Sequence, residues 1–431
     1  MKVAADQSAR KDFEGSDLIV AEEQTVSYGN PTLRFTHRTA RVTVVLTDYT
    51  EERMFVRLTG LSTENGNPAQ ITPYNKGGDT YTALVAPQSV ATGTAFITCK
   101  FTNGKVFVYK MKNDTDWQAG KEYTYTVSLA AAKDPGYTVS EDGKTYTVTS
   151  ADGLLAWNEA VQKDMTLNCT LADNIDLTGK DWTPIGTSFG NSYTGTFDGN
   201  GKTITGLTVT GSDRYTGLFG FIKGTVKNVV LTEINITSGT FVSGVAGWSF
   251  GGNIENCSVS GSVSGSDVGG VVGYQQGGSI TGCSSSATVK GTQRAGGVAG
   301  TTNSGATLTA CYATGDVTVE NDGTSNAWAG GVVGSNAYST VIACYAAGNV
   351  SGTGSGTIHV GGVTGENFDG TLTACYWSGL PDNDNGGATK VDGTTVTWQT
   401  AVAAMNAALS GKGWQYELKD GNSLPTLKKE Q

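Results

Sequence analysis

The sequence predicts an all-β protein with an N-terminal antiparallel β-sandwich and a C-terminal parallel β-helix that carries short capping helices. Three observations support this prediction: a glycine-rich phrase returns six times, a cysteine follows it at a nearly constant distance, and alternating segments fill the N-terminal part. We assign residues 1–132 to the sandwich, 133–144 to a linker and first strand, and 145–431 to the repeat domain. Its capping segments are expected at about 151–163 and about 397–428.

The N-terminal part alternates apolar and polar residues over short segments, several of them separated by Asn-Gly or Gly-Gly. The segments are 33–46, 54–58, 81–85, 95–101, 106–111 and 123–129. Strands at this spacing favour an antiparallel Greek-key sandwich of about a hundred residues. Asn103-Gly104 is the clearest hairpin turn, since Asn-Gly provides the positive φ angles of a type I′ turn. Residues 1–23 are expected to form a polar, loosely held lead-in.

Helices are expected at both ends of the repeat domain. The run Thr149-Ser150-Ala151-Asp152 offers N-caps for a helix at about 151–163, whose apolar residues fall on one face. Such a helix covers the apolar core and the unpaired strand edges at the open end of a solenoid. At the other end, an alanine-rich helix at 398–409 and the segment after it form the second cap.

The repeat domain is defined by the phrases TGLFG, SGVAG, GGVVG, GGVAG, GGVVG and GGVTG. Their second residue, always glycine, stands at 217, 244, 270, 297, 331 and 362, in steps of 27, 26, 27, 34 and 31. Steps of this size are typical of a solenoid. Because the repeats alternate and are rich in Gly, Ser, Thr and Val, we expect coils of two or three short strands, stacked in parallel at roughly 4.8 Å. Roughly seven or eight coils would span 165–377.

A cysteine column indicates which side of each coil is inside. After the last five phrases the next cysteines are Cys257, Cys283, Cys311, Cys344 and Cys375, whereas the first repeat has Val229 or Val230 there. A cysteine at one fixed place, replaceable by valine, behaves as a small buried hydrophobe. The seven cysteines therefore indicate no disulfide framework.

Two stretches of the sequence resemble known families. The run LRFTHRTARVTV at 33–44 resembles fimbrillin-like domains of surface proteins from Gram-negative gut anaerobes, and GKEYTYTV at 120–127 resembles their closing strand. The segments 181–186 and 195–207 resemble the opening coil of bacterial GLUG-motif proteins, which share the glycine phrase, and this resemblance covers about 145–428. The resemblances imply an exported protein of the cell surface or outer membrane and association with other fimbrillin-like subunits. They also imply a lipoprotein, whose signal and lipid-anchor segment are expected outside this chain.

Charge and composition narrow the range of partners. The formal net charge is −10, and residues 1–133 carry 15 Lys and Arg against 14 Asp and Glu, so the remainder carries 14 against 25. An acidic repeat array argues against nucleic acid and anionic membranes as partners. No run of about 18 apolar residues predicts a transmembrane segment. With His37 and His359 as the two histidines, we expect neither a metal nor another cofactor, and we interpret His37 as structural.

Because coils stack, candidate binding residues form columns rather than motifs. The first column, two residues before each phrase, contains Arg214, Phe241, Asp267, Arg294, Trp328 and His359. Strand alternation places this column in water if the mostly apolar residues that follow it face the core. Such a column fits a shallow groove for an extended glycan or a surface protein, and an ordinary solvated face is the alternative.

Two further columns are aromatic. Tyr312, Tyr345 and Tyr376 follow their cysteines and indicate either cross-strand packing or a secondary aromatic patch for binding. Phe221, Trp248 and Tyr274 follow the closing glycines and indicate stacking at a corner. Residues 320–322 offer oxygen ligands for calcium, although a solvated turn is the favoured interpretation.

Three functions remain open from the sequence. The first is a non-catalytic adhesin or fimbria-associated protein, favoured because no set of catalytic residues stands out. The second is a carbohydrate-active β-helix enzyme, a polysaccharide lyase or hydrolase, which requires two carboxylates and a basic residue in one groove. The third is a structural spacer or stalk, which requires no binding face.

Overall fold

A computed structural model of the chain describes residues 3–25, 27–29, 32–48, 54–101, 106–129, 136–323, 325–419 and 423–430. The chain forms two compact units, Met1–Thr138 and Val139–Gln431. Strands make up 49% of the protein and helices 8%, with sandwich-like sheets in the first unit and a parallel solenoid in the second. The predicted all-β fold is confirmed.

The first unit contains two main sheets. Its strands are Ile19–Val20, Thr36–His37, Ala40–Thr47, Met54–Leu58, Tyr74–Gly77, Thr80–Val85, Gln88–Val90, Ala95–Phe101, Val106–Lys110, Thr115–Trp117 and Glu122–Ser128. In one sheet Ala40–Thr47 pairs antiparallel with Thr80–Val85 and parallel with Glu122–Ser128. In the other, Ala95–Phe101 lies between Met54–Leu58 and Val106–Lys110. The parallel pairing corrects the expectation of a wholly antiparallel sandwich.

Two details of this unit differ from the sequence predictions, and a third is described only in part. The lead-in is not loosely held: it forms helix α1 (Arg10–Gly15), and the buried Gln7 exchanges two hydrogen bonds with the backbone of Leu84. The segment predicted as one strand at 33–46 contains two strands, Thr36–His37 and Ala40–Thr47. The strands on either side of Asn103-Gly104 pair as predicted, but the turn itself lies outside the described residues.

The second unit winds through three sheets, which we name A, B and C, and the strands of successive coils pair in parallel. Sheet A contains Tyr137–Val139, Thr145–Val148, Asn168–Leu171, Thr196–Asp198, Thr225–Lys227, Asn253–Glu255, Ser279–Thr281, Thr307–Thr309, Thr340–Ile342 and Thr371–Thr373. Sheet B contains Ile175–Asp176, Thr203–Thr205, Thr208–Thr210, Tyr215–Thr216, Val230–Thr237, Phe241–Ser243, Ser258–Gly269, Ser284–Ser285, Thr288–Gly296, Tyr312–Ala313, Val317–Asn321, Ala327–Gly330, Tyr345–Ala346, Val350–Gly354, Ile358–Gly361, Tyr376–Trp377 and Thr389–Lys390. Sheet C contains Phe219–Ile222, Ala246–Phe250, Val272–Gln276, Ala299–Asn303, Val333–Ala337 and Thr364–Phe368. There are about seven turns, each passing from A to B to C.

The cysteine column faces the interior, as predicted. All five of its thiols are free, and each is at most 3% exposed. Just before them the chain turns from sheet A to sheet B through a residue with positive φ. These corner residues are Asn200, Asn228, Asn256, Gly282, Ala310, Ala343 and Ala374. Asparagine and glycine adopt this conformation readily. Two of the asparagines also form a side-chain ladder, in which Asn256 Nδ2 donates to Asn228 Oδ1 over 2.8 Å and Asn228 Nδ2 donates to Asp198 Oδ1 over 2.9 Å.

The N-terminal cap is present as helix α2 (Ala151–Val161). Ser150 Oγ accepts a hydrogen bond from Gly153 N and so caps its first turn. The indole of Trp157 lies against the rings of Phe197 and Phe219, with centroids 5.2 and 6.4 Å apart. The helix therefore covers the core of the first coils.

The last coil is closed by the segment after Trp377, which the sequence did not predict. Asp384 Oδ1 accepts hydrogen bonds from Val363 N and Thr364 N, at 2.8 and 2.7 Å. One coil earlier, the corresponding amides of Val332 and Val333 both donate to Val363 O. The carboxylate thus takes the place of the carbonyl that a further coil would provide.

The segment predicted as the C-terminal cap does not lie on the end of the solenoid. It consists of helix α3 (Trp398–Ala408) and two antiparallel strands, Trp414–Glu417 and Thr426–Lys429. The indole of Trp398 contacts Tyr345 edge to face at 5.1 Å, and the indole of Trp414 lies directly on Gly282, two coils away. This segment therefore covers the flank of the solenoid at the A-to-B corner rather than its end.

Candidate functional site

The glycine phrase turns the chain from sheet B into sheet C and brings the outer faces of the two sheets together. A methyl group on Gly300, the closing glycine of its phrase, would lie 2.6 Å from Gly273 O and 2.9 Å from Val268 N. One on Gly365 would lie 2.7 Å from Ala329 N. Only glycine fits so close to the facing backbone. Side chains from the outer faces of the two sheets meet at this corner, and we call the surface between them the corner groove.

Two ladders of side chains line the corner groove, each in strict register from coil to coil. The wall on sheet B consists of Tyr215, Phe241, Asp267, Arg294, Trp328 and His359. The wall on sheet C consists of Phe221, Trp248, Tyr274, Thr301, Ser335 and Glu366. The first predicted column and the third therefore face each other across one groove.

The structure corrects the first column in two respects. Tyr215 rather than Arg214 pairs with Phe241, because the corner of the first coil is one residue shorter. Thr216 precedes Phe219 by three positions, whereas the equivalent Val242 precedes Ala246 by four. The column is also only partly in water. Arg214 and His359 are exposed and Arg294 and Trp328 are half-buried, but Phe241 is 8% exposed and Asp267 3%. These two are buried because the walls stand close enough for facing side chains to cover each other.

The N-terminal half of the groove is filled by its own aromatic rings. Within each wall the rings stack, with centroids 5.7 Å apart for Tyr215 and Phe241 and 5.8 Å for Phe221 and Trp248. Across the groove, Phe241 contacts Trp248 edge to face at 4.7 Å. Stacking at a corner is thus confirmed for the third column.

The C-terminal half of the sheet B wall is polar and continuous. Arg294 Nη1 lies 3.0 Å from Asp267 Oδ1. Burial raises the pKa of Asp267 above its ordinary value, and the neighbouring guanidinium opposes part of that rise. The same guanidinium lies 5.1 Å from the centroid of the Trp328 ring, and the His359 ring stacks on Trp328 at 6.0 Å and 13°. Both faces of Trp328 are therefore covered within the ladder, and its edge is left for the groove.

The sheet C wall opposite carries hydroxyl groups and a carboxylate that sequence reasoning missed. Thr301 is 5% exposed, and its Oγ1 has no hydrogen-bond partner among the described residues. In the next coil Ser335 Oγ donates to Glu366 Oε2 over 2.6 Å. These residues occupy the column that begins with Phe221, so continuing that column past its aromatic members would have found them.

The arrangement of charges bears on catalysis and on metal binding. The groove holds two carboxylates and a basic residue, as the enzyme hypothesis requires. However, Asp267 and Glu366 stand three coils apart, or about 14 Å at roughly 4.8 Å per coil, beyond the roughly 5–10 Å of an acid–base pair.

Among the described residues, no group of three or more His, Cys, Asp or Glu side chains is placed to hold a metal ion. At 320–322 the buried Asn321 amide is engaged by Gly323 N, Ser325 O and Thr357 O.

The tyrosine column lies under the C-terminal segment. Tyr312 and Tyr345 stack with parallel planes, 5.0 Å apart, and Tyr376 continues the ladder. Tyr345 is only 1% exposed, and its hydroxyl donates to Pro425 O over 2.6 Å. The packing interpretation is therefore correct for Tyr345, and the secondary aromatic patch is not an open surface there.

Comparisons with known proteins agree with both resemblances. Residues 1–141 match the fimbrillin-like family, and residues 244–264 and 264–290 match the GLUG motif. Halomucin of Haloquadratum walsbyi is 35% identical over 108 residues, which are 22% of this chain and 1% of halomucin, so the chain spans only a small fraction of that relative.

One solved structure has a similar fold over two thirds of this chain. A Bacteroides ovatus protein provisionally named an immunoglobulin A1 protease superposes with a TM-score of 0.53 at 20% identity, covering 67% of this chain and 93% of that one. A fimbrial protein from the same species gives a TM-score of 0.20 at 18% identity, covering 33% of each chain. No helix among the described residues has the length and apolarity that crossing a bilayer requires. The chain thus joins a fimbrillin-like domain to a solenoid with GLUG motifs, and this combination supports a fimbria-associated surface protein.

Proposed function

We propose that this protein is a non-catalytic surface adhesin whose corner groove binds an extended glycan. The observation that carries the proposal is the polar half of the groove, where two in-register walls present unlike hydrogen-bonding groups to the same channel. Export to the outer membrane, a lipid anchor and association with other fimbrillin-like subunits belong to the same proposal. They are supported by the fimbrillin-like match.

A glycan suits this half of the groove because its hydroxyl groups need both donors and acceptors. The guanidinium of Arg294 donates and the carboxylate of Glu366 accepts, and both side chains are partly exposed. Since both faces of Trp328 are covered, recognition here uses the edges of the wall residues and their hydrogen bonds rather than stacking of a sugar on an indole face.

The binding test combines an array of glycans and matrix proteins with two variants of the full chain. Wild-type protein is expected to retain one class of glycan, and Trp328→Ala to weaken that binding at least tenfold, because the Arg294 and His359 side chains lose the ring that holds them in the ladder. Tyr338→Ala is the matched control, since Tyr338 is an aromatic residue of the same coil, 54% exposed and outside the groove.

Other outcomes would contradict this proposal in different ways. If the wild-type protein retains no glycan and Trp328→Ala changes stability alone, the solenoid is a spacer. If a polysaccharide is cleaved by the wild-type protein and not by a variant at Glu366 or Asp267, the groove is catalytic. Retention of a protein rather than a glycan would assign the groove to a protein partner.

A further inference from the structure

The flank of the solenoid contains a second cavity, separate from the corner groove. It lies where the tyrosine ladder stops: coil by coil, the ladder reads Tyr376, Tyr345, Tyr312, Ser284 and Ser258. Two successive serines leave a gap two coils long, and the C-terminal segment closes one side of it with Trp414. The cavity measures about 150 Å³. We call it the flank notch.

The notch offers one aromatic face. The ring of Tyr312 is covered on one side by Tyr345, with which it is parallel to within 2°. Its other side points along the ladder toward Ser284, whose short side chain does not reach it. In contrast to Trp328 in the corner groove, Tyr312 therefore has an uncovered ring face, which is the surface that the apolar face of a sugar ring requires.

The remaining walls of the notch offer uncharged hydrogen-bonding groups. The hydroxyls of Ser258 and Ser284 make no hydrogen bond with another described residue, and the amide of Asn256 uses only its nitrogen, toward Asn228. The lining contains no ionisable side chain besides Tyr312 and Cys257. On the nearby strand, Lys429 is already paired with Glu255 at 2.7 Å. The notch therefore suits a neutral ligand.

From this geometry we propose that the flank notch binds one neutral sugar ring, stacked on Tyr312 and hydrogen-bonded by the serine hydroxyls and the Asn256 amide. Its volume is below the roughly 300–1,000 Å³ of pockets for larger ligands, so a single ring or chain terminus fits and an extended chain does not. The site differs in this respect from the corner groove, which runs along several coils.

The test measures saturation transfer from the full chain to methyl glycosides of glucose, galactose and mannose, with methyl glucuronide as the charged comparison. At least one neutral glycoside is expected to receive saturation, and the glucuronide much less. Ser284→Tyr should abolish the signal, because the new ring would stack on Tyr312 and fill the notch while extending the ladder, so the unfolding midpoint should be unchanged or higher. Ser262→Tyr, at an exposed position of sheet B, is the control and should keep the signal.

Tyr312→Ser provides an independent variant, which removes the stacking face and should weaken binding at least tenfold. Trp328→Ala should leave the notch signal intact, so that failure of the corner groove and failure of the notch are told apart. The proposal is overturned if no neutral glycoside receives saturation, or if the signal persists in both Ser284→Tyr and Tyr312→Ser.

Discussion

Replacing Gly300 with alanine is expected to destabilise the solenoid by about 3 kcal/mol, the upper part of the range for inserting a methyl group into closely packed structure. The added methyl would lie 2.6 Å from Gly273 O and 2.9 Å from Val268 N, so it meets backbone of both sheet C and sheet B in the preceding coil. Neither backbone moves without breaking the ladder hydrogen bonds of sheets B and C. Closing glycines are therefore required by the approach of the two sheets that creates the corner groove.

Gly211→Ala is the matched control for this variant. A methyl group on Gly211 would meet no atom of a non-adjacent residue within 4 Å, and this glycine has no positive φ, so alanine should leave its coil unchanged or slightly stabilised. The measurement is guanidinium unfolding followed by tryptophan fluorescence, which reports the solenoid because seven of the eight tryptophans belong to it and only Trp117 to the first unit. Equal midpoints for the two variants would contradict the described corner.

Replacing Val289 with aspartate is expected to cost at least about 4 kcal/mol, since burial of a valine contributes roughly 1.5–3 kcal/mol and an unpaired buried carboxyl adds to the loss. Val289 is fully buried in sheet B, between Val263 and Val317 of the adjacent coils. The neighbouring Thr288 is exposed, so Thr288→Asp introduces the same side chain into the same strand but on its outer face. The unfolding midpoint of Thr288→Asp should equal that of the wild-type protein within experimental error. If Thr288→Asp is the more damaging of the two, the assigned facing of the strand is reversed.

The coil and its inside were predictable because they depend on local, repeated features. Each phrase places glycine where sheet B turns into sheet C, and each cysteine marks the inward side of the next strand. Neither feature depends on which coil is considered, so one repeat predicts the others. The same regularity explains the single error in register: the first corner is one residue shorter, and counting back from its phrase selects Arg214 in place of Tyr215.

The facing of the groove walls was not predictable from alternation alone. Alternation separates the inside of a coil from the outside, but it does not show that the outer faces of sheets B and C meet. This meeting buries Asp267 and Phe241, and it adds Thr301, Ser335 and Glu366 to the site. The closing glycine was the available signal, because a glycine required at an outward position indicates that backbone approaches from outside.

The position of the C-terminal segment also has a signal in the sequence, which became clear only with the structure. At the A-to-B corner the residue with positive φ changes from asparagine in the early coils to Gly282 and then to Ala310, Ala343 and Ala374. Alanine in this conformation costs roughly 1–2 kcal/mol. Ala310 and Ala343 lie in the same buried cluster as Trp398 and Trp414, so small side chains make room for the cover on this flank.

Thiol labelling tests most directly the claim that the repeats wind into a tube with the cysteine column inside. Burial raises the pKa of Cys283 and Cys344 and takes that of Cys375 to about 12, and the thiolate is the reactive form. In the folded protein we expect a maleimide to label none of the seven cysteines during a time in which the protein unfolded in guanidinium is labelled at all seven, as counted by mass spectrometry. Labelling of Cys283 or Cys311 in the folded protein would contradict the winding, and with it both the corner groove and the flank notch.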